Sequence, residues 1–176
     1  MLTLVPFYCG SQRVLLESLE KQLVTAFRLP IERQVPAFDP EVAYDASRGQ
    51  YNSRVLLAQL LQHHPGPGRV LGVTDVDLFI PVLTFVFGEA QLGGRAAVVS
   101  SHRLVPERYG LPGDRALVQA RLVKEAIHEL GHSFELVHCA DGRCVMASSP
   151  EVTGIDLKSP SFCDQCGAKI RGRTMQ

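Results

Sequence analysis

The chain is expected to fold as a single mixed α/β (α+β) domain, and three observations lead there. Strand-like and helix-like apolar runs alternate through the first half. A Gly93-Gly94 pair then joins two further strand-like runs. One long amphipathic helix follows, near residue 115. The 176 residues are 45% apolar and 20% charged, enough for one hydrophobic core and ordinary for a globular chain.

Residues 2–7 read as a first strand. Ser11 is a candidate N-cap for a helix over 12–28, in which Leu16, Leu19, Leu23 and Phe27 recur at helical spacing until Pro30 intervenes. A short strand is expected near Ile31–Val35. The stretch from Pro36 to Asn52 is rich in turn residues and carries no clear period. Val55, Leu56, Leu60 and Leu61 indicate a second helix, stopped by Pro65-Gly66-Pro67-Gly68. Arg69–Thr74 reads as a buried strand, and Phe85–Leu92 with Arg95–Ser101 as a hairpin. Asp114 caps the long helix. Ala116, Ala120, Val123, Ile127, Leu130 and Phe134 form its expected core stripe.

Formal net charge is zero and no basic run occurs, which excludes nucleic acid as an expected partner. The apolar runs are too short to span a bilayer, so no membrane partner is expected. The N-terminus lacks a basic leader and a small-residue cleavage site, so a cytoplasmic location is expected.

The long helix carries His128-Glu129-Leu130-Gly131-His132, with His138 six residues on. At about 100° per residue, His128 and His132 point only about 40° apart, from successive turns into one space. That spacing suits one shared zinc ion. A third ligand at His138 would leave one position open, the pattern of a catalytic site and not of a structural one. Glu129, offset from the ligands, could reach a zinc-bound water and take its proton as general base. An unbroken helix would carry His138 about 9 Å further along the axis and away from the other two. The chain is therefore expected to leave the helix between Ser133 and Val137 and turn back.

Cys139, Cys144, Cys163 and Cys166 crowd the C-terminal region, while Cys9 stands apart as an expected buried thiol. Four thiols in a C-x4-C and C-x2-C arrangement suit a closed tetrahedral zinc. Two disulfides or free thiols are the alternative, less suited to a reducing compartment and to an odd number of cysteines. Two zinc ions per chain follow, one catalytic and one structural.

These residues together resemble the archaemetzincins, a metzincin-type zinc peptidase family. The motif is H-E-x-x-H-x-x-G-x-x-H-C-x4-C-x-M, followed by C-x-x-C. His128, Glu129, His132, His138, Cys139, Cys144, Cys163 and Cys166 fall on it, and Met146 falls on the methionine of the Met-turn. Leu71–Phe79, Phe85–Gly88 and Val98–Leu104 also look like the family. Two departures stand out: Glu135 replaces the family glycine, at a position still expected to be left-handed, and the stretch between Met146 and Cys163 is one residue short.

The resemblance implies a metzincin-like zincin. A mixed, twisted sheet and the active-site helix (about 1–134) would lie above a small zinc-stabilised subdomain (about 135–176), within one catalytic domain over 1–176. A peptide or small-protein substrate would lie between them, along an edge strand in Phe85–Leu92 or Arg95–Ser101. The resemblance implies a zinc-dependent metallopeptidase. The alternative, motivated by Glu135, is a zinc-binding peptide- or protein-interaction module with weak or lost peptidase activity. A zinc-ribbon interaction protein is a third reading, disfavoured by the intact histidine run. Asp75 and Asp77 are expected as turn and hydrogen-bonding residues at a strand end, with a functional role as the alternative because they lie in a family-like stretch. His63, His64 and His102 have no partner at ligand spacing and are expected at the surface.

Overall fold

Strand β1 (Leu2–Pro6) opens the structure, a computed structural model that describes residues 1–174, with the side chains of Ser11 and Gln12 outside the description. The chain leaves β1 through left-handed Tyr8 (φ 46°) and Gly10 (φ 45°) and winds first as a 3-10 helix, Gly10–Leu15. Only then does it become α1 (Leu16–Phe27). The expected cap at Ser11 thus falls inside the 3-10 segment, and its side chain lies outside the described residues. The α1 core stripe is as the spacing predicts: Leu16, Leu19, Leu23 and Phe27 are all buried. Arg28 (φ 55°) ends the helix two residues before Pro30.

Strand β2 (Ile31–Arg33) follows, three residues long. The turn-rich stretch holds a 3-10 turn, Pro40–Ala43, capped by the Asp39 side chain, then two short strands, β3 (Tyr44–Asp45) and β4 (Gln50–Asn52). Asn52 caps α2 (Ser53–His63), which stops before Pro65. β5 (Arg69–Thr74) and β6 (Leu78–Phe79) lead into the hairpin of β7 (Gly88–Ala90) and β8 (Ala96–Ser100). The hairpin is narrower than expected. Phe85–Phe87 lie outside the ladder, and residues 92–95 form the turn, closed by the Gln91 N–H on Ala96 O (3.1 Å). Then come α3 (Arg115–Ser133), α4 (Val152–Leu157) and α5 (Asp164–Thr174).

The main sheet has the order β2-β1-β5-β8-β7, parallel except for β7, which pairs antiparallel at one edge; β3, β4 and β6 form a second, small sheet. Alternation of side chains sorts the main sheet into two apolar faces. Leu2, Leu4, Leu71, Val73, Ala97 and Val99 face α1 and α3. Val5, Val70, Ala96 and Val98 face α2. The central strand is buried on both sides, which is why β5 and β8 read as continuous apolar runs. Each fully buried leucine contributes roughly 1.5–3 kcal/mol.

The stripe predicted for α3 needs correction. Ala116 and Ala120 are exposed, because the first turns project past the sheet. From Arg121 onward the helix is buried on nearly every side, including Glu125, His128 and Glu129, since sheet, α1 and the C-terminal segment surround it. Phe27 on α1 stacks on Phe134 (centroids 5.3 Å apart) and meets Phe162 edge-on (5.7 Å), tying the C-terminal segment to this core.

Candidate metal centre

The geometry begins with how α3 starts and stops. The Asp114 carboxylate accepts from Leu117 N–H (3.0 Å), satisfying one free donor of the first turn. At the other end Glu135 N–H donates to His132 O (2.9 Å) and Leu136 N–H to Gly131 O (3.0 Å). This pair of bonds is the Schellman motif, which requires a left-handed residue just past the cap. Glu135 supplies it, at φ 63°, as expected for the residue that stands where the resembling family has glycine. The turn that the family builds with glycine is therefore formed here by glutamate. The Glu135 carboxylate rests over Gly93 and pairs with Arg173 (2.8 Å).

The reversal brings three imidazoles together. One ring nitrogen from each of His128, His132 and His138 lies within 4.8 Å of the others. His128 Nδ1 faces Val145 O (2.8 Å) and His132 Nδ1 faces Leu136 O (2.7 Å). A carbonyl oxygen accepts only from a protonated nitrogen, so each Nδ1 carries the hydrogen and each Nε2 presents a lone pair. The two Nε2 atoms stand 3.0 Å apart. Facing lone pairs at that distance repel unless a cation lies between them, and three neutral imidazoles are a usual donor set for zinc. Burial, with the nearby Lys158 charge, pushes His128 down to about 3, and burial also lowers His132, so both stay neutral and able to bind. The donor set fits a zinc ion with an open position.

Glu129 is buried beside them. Its carboxyl is raised well above the ordinary value, first by burial and then by the charges of Glu125 and Glu89, against the opposing charge of Lys158. Its side chain packs on the edge strand at Gly88, where an added Cβ would stand 2.7 Å from Glu129 Cγ. A cleft of about 350 Å³ opens over Glu129, His128 and His138, between residues 83–88 on one side and 148–150 on the other. A hollow of about 310 Å³ between α1 and α5, bounded by Phe27, Phe162 and Arg171, lies away from this constellation.

The four C-terminal thiols also converge. The Sγ atoms of Cys139, Cys144, Cys163 and Cys166 all lie within 4.8 Å of one another, with no disulfide formed. The Cys163 N–H points at Cys144 Sγ (3.3 Å), and the Cys166 N–H holds the Cys163 thiol below its ordinary value. Backbone donors aimed at sulfur suit thiolates around a cation, and four sulfurs leave no open position. Met146 is fully buried, its sulfur lying against Gly131 of α3. Three successive carbonyls here have separate partners: Val145 O takes His128 Nδ1–H, Met146 O takes Cys139 N–H (2.9 Å), and Ala147 O takes the Lys158 ammonium (3.3 Å).

Other sequence expectations fare differently. Asp77 is a structural anchor: Arg103 donates to both its oxygens (2.6 Å each) and Gln50 adds a third bond (3.0 Å). Cys9 is buried, and burial with the nearby Asp75 charge pushes its thiol up to about 11. Of the three remaining histidines, all expected at the surface, only His64 is buried; the other two are partly exposed. His64 is buried with Nδ1 on Gln34 Oε1 (2.9 Å), His102 is half-buried on Asp75 O (2.9 Å), and His63 is half-buried beside Phe38. Ligand spacing says nothing about burial, which here comes from packing at strand and helix ends. Sequence reasoning missed Gly88 and the buried Glu125–Lys158 pair (2.9 Å). The one local signal was a glutamate at i−4 from Glu129 on the same helix.

The model of peptidase family M54 matches residues 26–172. An archaemetzincin of Methanocaldococcus jannaschii is 45% identical over 140 residues, 79% of this chain and 76% of that one. The crystal structure of archaemetzincin from Methanopyrus kandleri superposes with a TM-score of 0.84 at 37% identity, covering 99% of this chain and 95% of that one. That of a zinc-dependent peptidase from Methanocorpusculum labreanum gives 0.86 at 28% identity, covering 97% and 100%.

Proposed function

The chain belongs to peptidase family M54, among the archaemetzincins, and on that footing we propose that it hydrolyses peptide bonds with a zinc ion on His128, His132 and His138 and with Glu129 as the proton carrier. The observation that carries the reading is the pair of Nε2 lone pairs facing each other at 3.0 Å, each fixed by its Nδ1–H on a main-chain carbonyl. When bound, zinc supplies Lewis acidity toward a carbonyl and toward water. The protein's own residues do the rest. Glu129, buried beside the histidines, takes a proton from the attacking water and returns it to the departing amine. The cleft walls hold an extended peptide, with the outer edge of β7 offering main-chain groups for strand-like pairing.

A second zinc ion is assigned to the four cysteines, giving two per chain. With its four donors all from the protein, it serves structure. The substrate cleft then separates an upper part, to about residue 134, from a lower part that carries His138, Met146 and the thiolates. A reducing, cytoplasmic compartment is part of the same reading, because the thiolate site depends on unoxidised cysteines. Among the described residues no helix is long and apolar enough to cross a membrane.

The test is cleavage of a mixed peptide pool by the zinc-loaded protein, with and without chelator. Glu129→Ala should keep the metal and lose turnover by a factor on the order of 100 or more. A variant as fast as the parent would overturn the proton-carrier role; one that loses zinc would make Glu129 a ligand.

A further inference from the structure

We propose that Lys158 is a positioning residue for the cleft: its buried ammonium ties Ala147 to Glu125 and so sets where the wall formed by residues 148–150 stands. The proposal takes from the peptidase reading only the identity of what enters the cleft. Lys158 is 2% exposed, and its Nζ lies 2.9 Å from Glu125 Oε1 and 3.3 Å from Ala147 O. Glu125 is one helical turn before Glu129 and lines the cleft floor. Ala147 directly follows Met146 and directly precedes the wall. One side chain therefore joins the active-site helix to the root of the opposite wall.

The far end of the same wall is clamped separately. Arg121 grips both oxygens of Asp156 (2.8 and 2.7 Å), and Lys124 donates to Ile155 O (2.9 Å) and Asp156 O (3.1 Å), so α4 is held to α3. Lys158 holds the near end, where the wall meets the substrate. A buried ion pair of this kind is a weak source of stability, since an apolar pair of similar volume is often as stable. What an apolar pair lacks is a donor for Ala147 O.

That difference defines the experiment. Lys158→Met alone leaves the Glu125 carboxylate without its partner and can unfold the protein, so the decisive form is the double variant Glu125→Gln/Lys158→Met. Three quantities are read on the zinc-loaded full chain: melting temperature, peptide-cleavage kinetics, and amide hydrogen exchange over residues 145–149. We expect the double variant to melt within a few degrees of the parent. KM should rise about tenfold or more over that of Glu125→Gln alone, which keeps Lys158 on Ala147 O and so controls for the change on the cleft floor. The Ala147 amide, bonded to Cys144 O at 2.9 Å, should exchange at least about tenfold faster. A folded double variant with the KM of Glu125→Gln alone and parental exchange would overturn the proposal. So would a loss confined to kcat. Should the parent cleave no peptide at all, the peptidase reading fails, and the exchange result alone decides for or against the positioning role.

Discussion

At Gly88 a hydrogen in place of a side chain leaves room for Glu129, the proposed proton carrier. An added Cβ would stand 2.7 Å from both Glu129 Cγ and Val98 O, and the main-chain oxygen has no room to yield. Gly88→Ala should therefore displace the Glu129 carboxyl, lowering turnover on the order of 100-fold while zinc content, read by elemental analysis, stays at the parental value. Glu135 works the other way. Its left-handed backbone costs roughly 1–2 kcal/mol, and the half-exposed pair with Arg173 returns at most about 1 kcal/mol. Glu135→Gly should be neutral or stabilising by up to about 1 kcal/mol in chemical denaturation; a clear loss would show that the contact over Gly93 outweighs the strain. The convergence of the three histidines and of the four cysteines was legible because their spacing along the chain already encodes a geometry, whereas Met146 stood out only through the family resemblance. Gly88 and Lys158 were not, because each acts on a residue from a distant segment.

Among the elements, α3 is the one whose sequence said most and misled most. Its cap was readable from Asp114, its end from the position of His138, and the angular placement of His128 and His132 from the helical period. Its burial was not. Arg121 and Glu125, no part of the predicted apolar stripe, lie inside, because α4 and Lys158 cover them with charges of opposite sign. Sheet order was equally silent, since parallel neighbours such as β1 and β5 are joined through α1, β2 and α2 and no local signal says which strands pair. The α3–α4 clamp has a pH dependence with a definite sign. Hydrogen bonding from Arg121 holds the Asp156 carboxyl below its ordinary value, so its contribution is complete above about pH 4 and fades as pH falls through the depressed folded value. Asp156→Asn should destabilise by about 1–3 kcal/mol at neutral pH, a buried-pair loss discounted for the partial exposure of Asp156. It should also flatten the acid limb of the stability curve. If parent and variant lose stability in parallel below pH 4, the clamp is not the acid-sensitive group.

For the molecule as a whole, the two ligand sets differ in access. His138 is exposed, whereas two of the four cysteines are buried. A mild chelator should remove one zinc quickly with the circular-dichroism spectrum intact, and the second only with loss of the C-terminal fold. Elemental analysis giving one zinc in fully loaded protein would refute the pair of sites. The overall α/β character was legible from alternating strand and helix periods, whereas the way the C-terminal segment wraps α3 depended on Phe27, Phe134 and Phe162 meeting across the chain. His138 and Cys139 are neighbours, so the two ligand sets share one peptide unit. Adjacent sites joined by a rigid link exchange free energy in both directions, by the same amount. If filling the thiolate site orders that peptide and tightens the histidine site by some factor, then filling the histidine site tightens the thiolate site by that same factor. On that condition the two ions leave in order but not independently: stripping the histidine site loosens the thiolate site by the same factor.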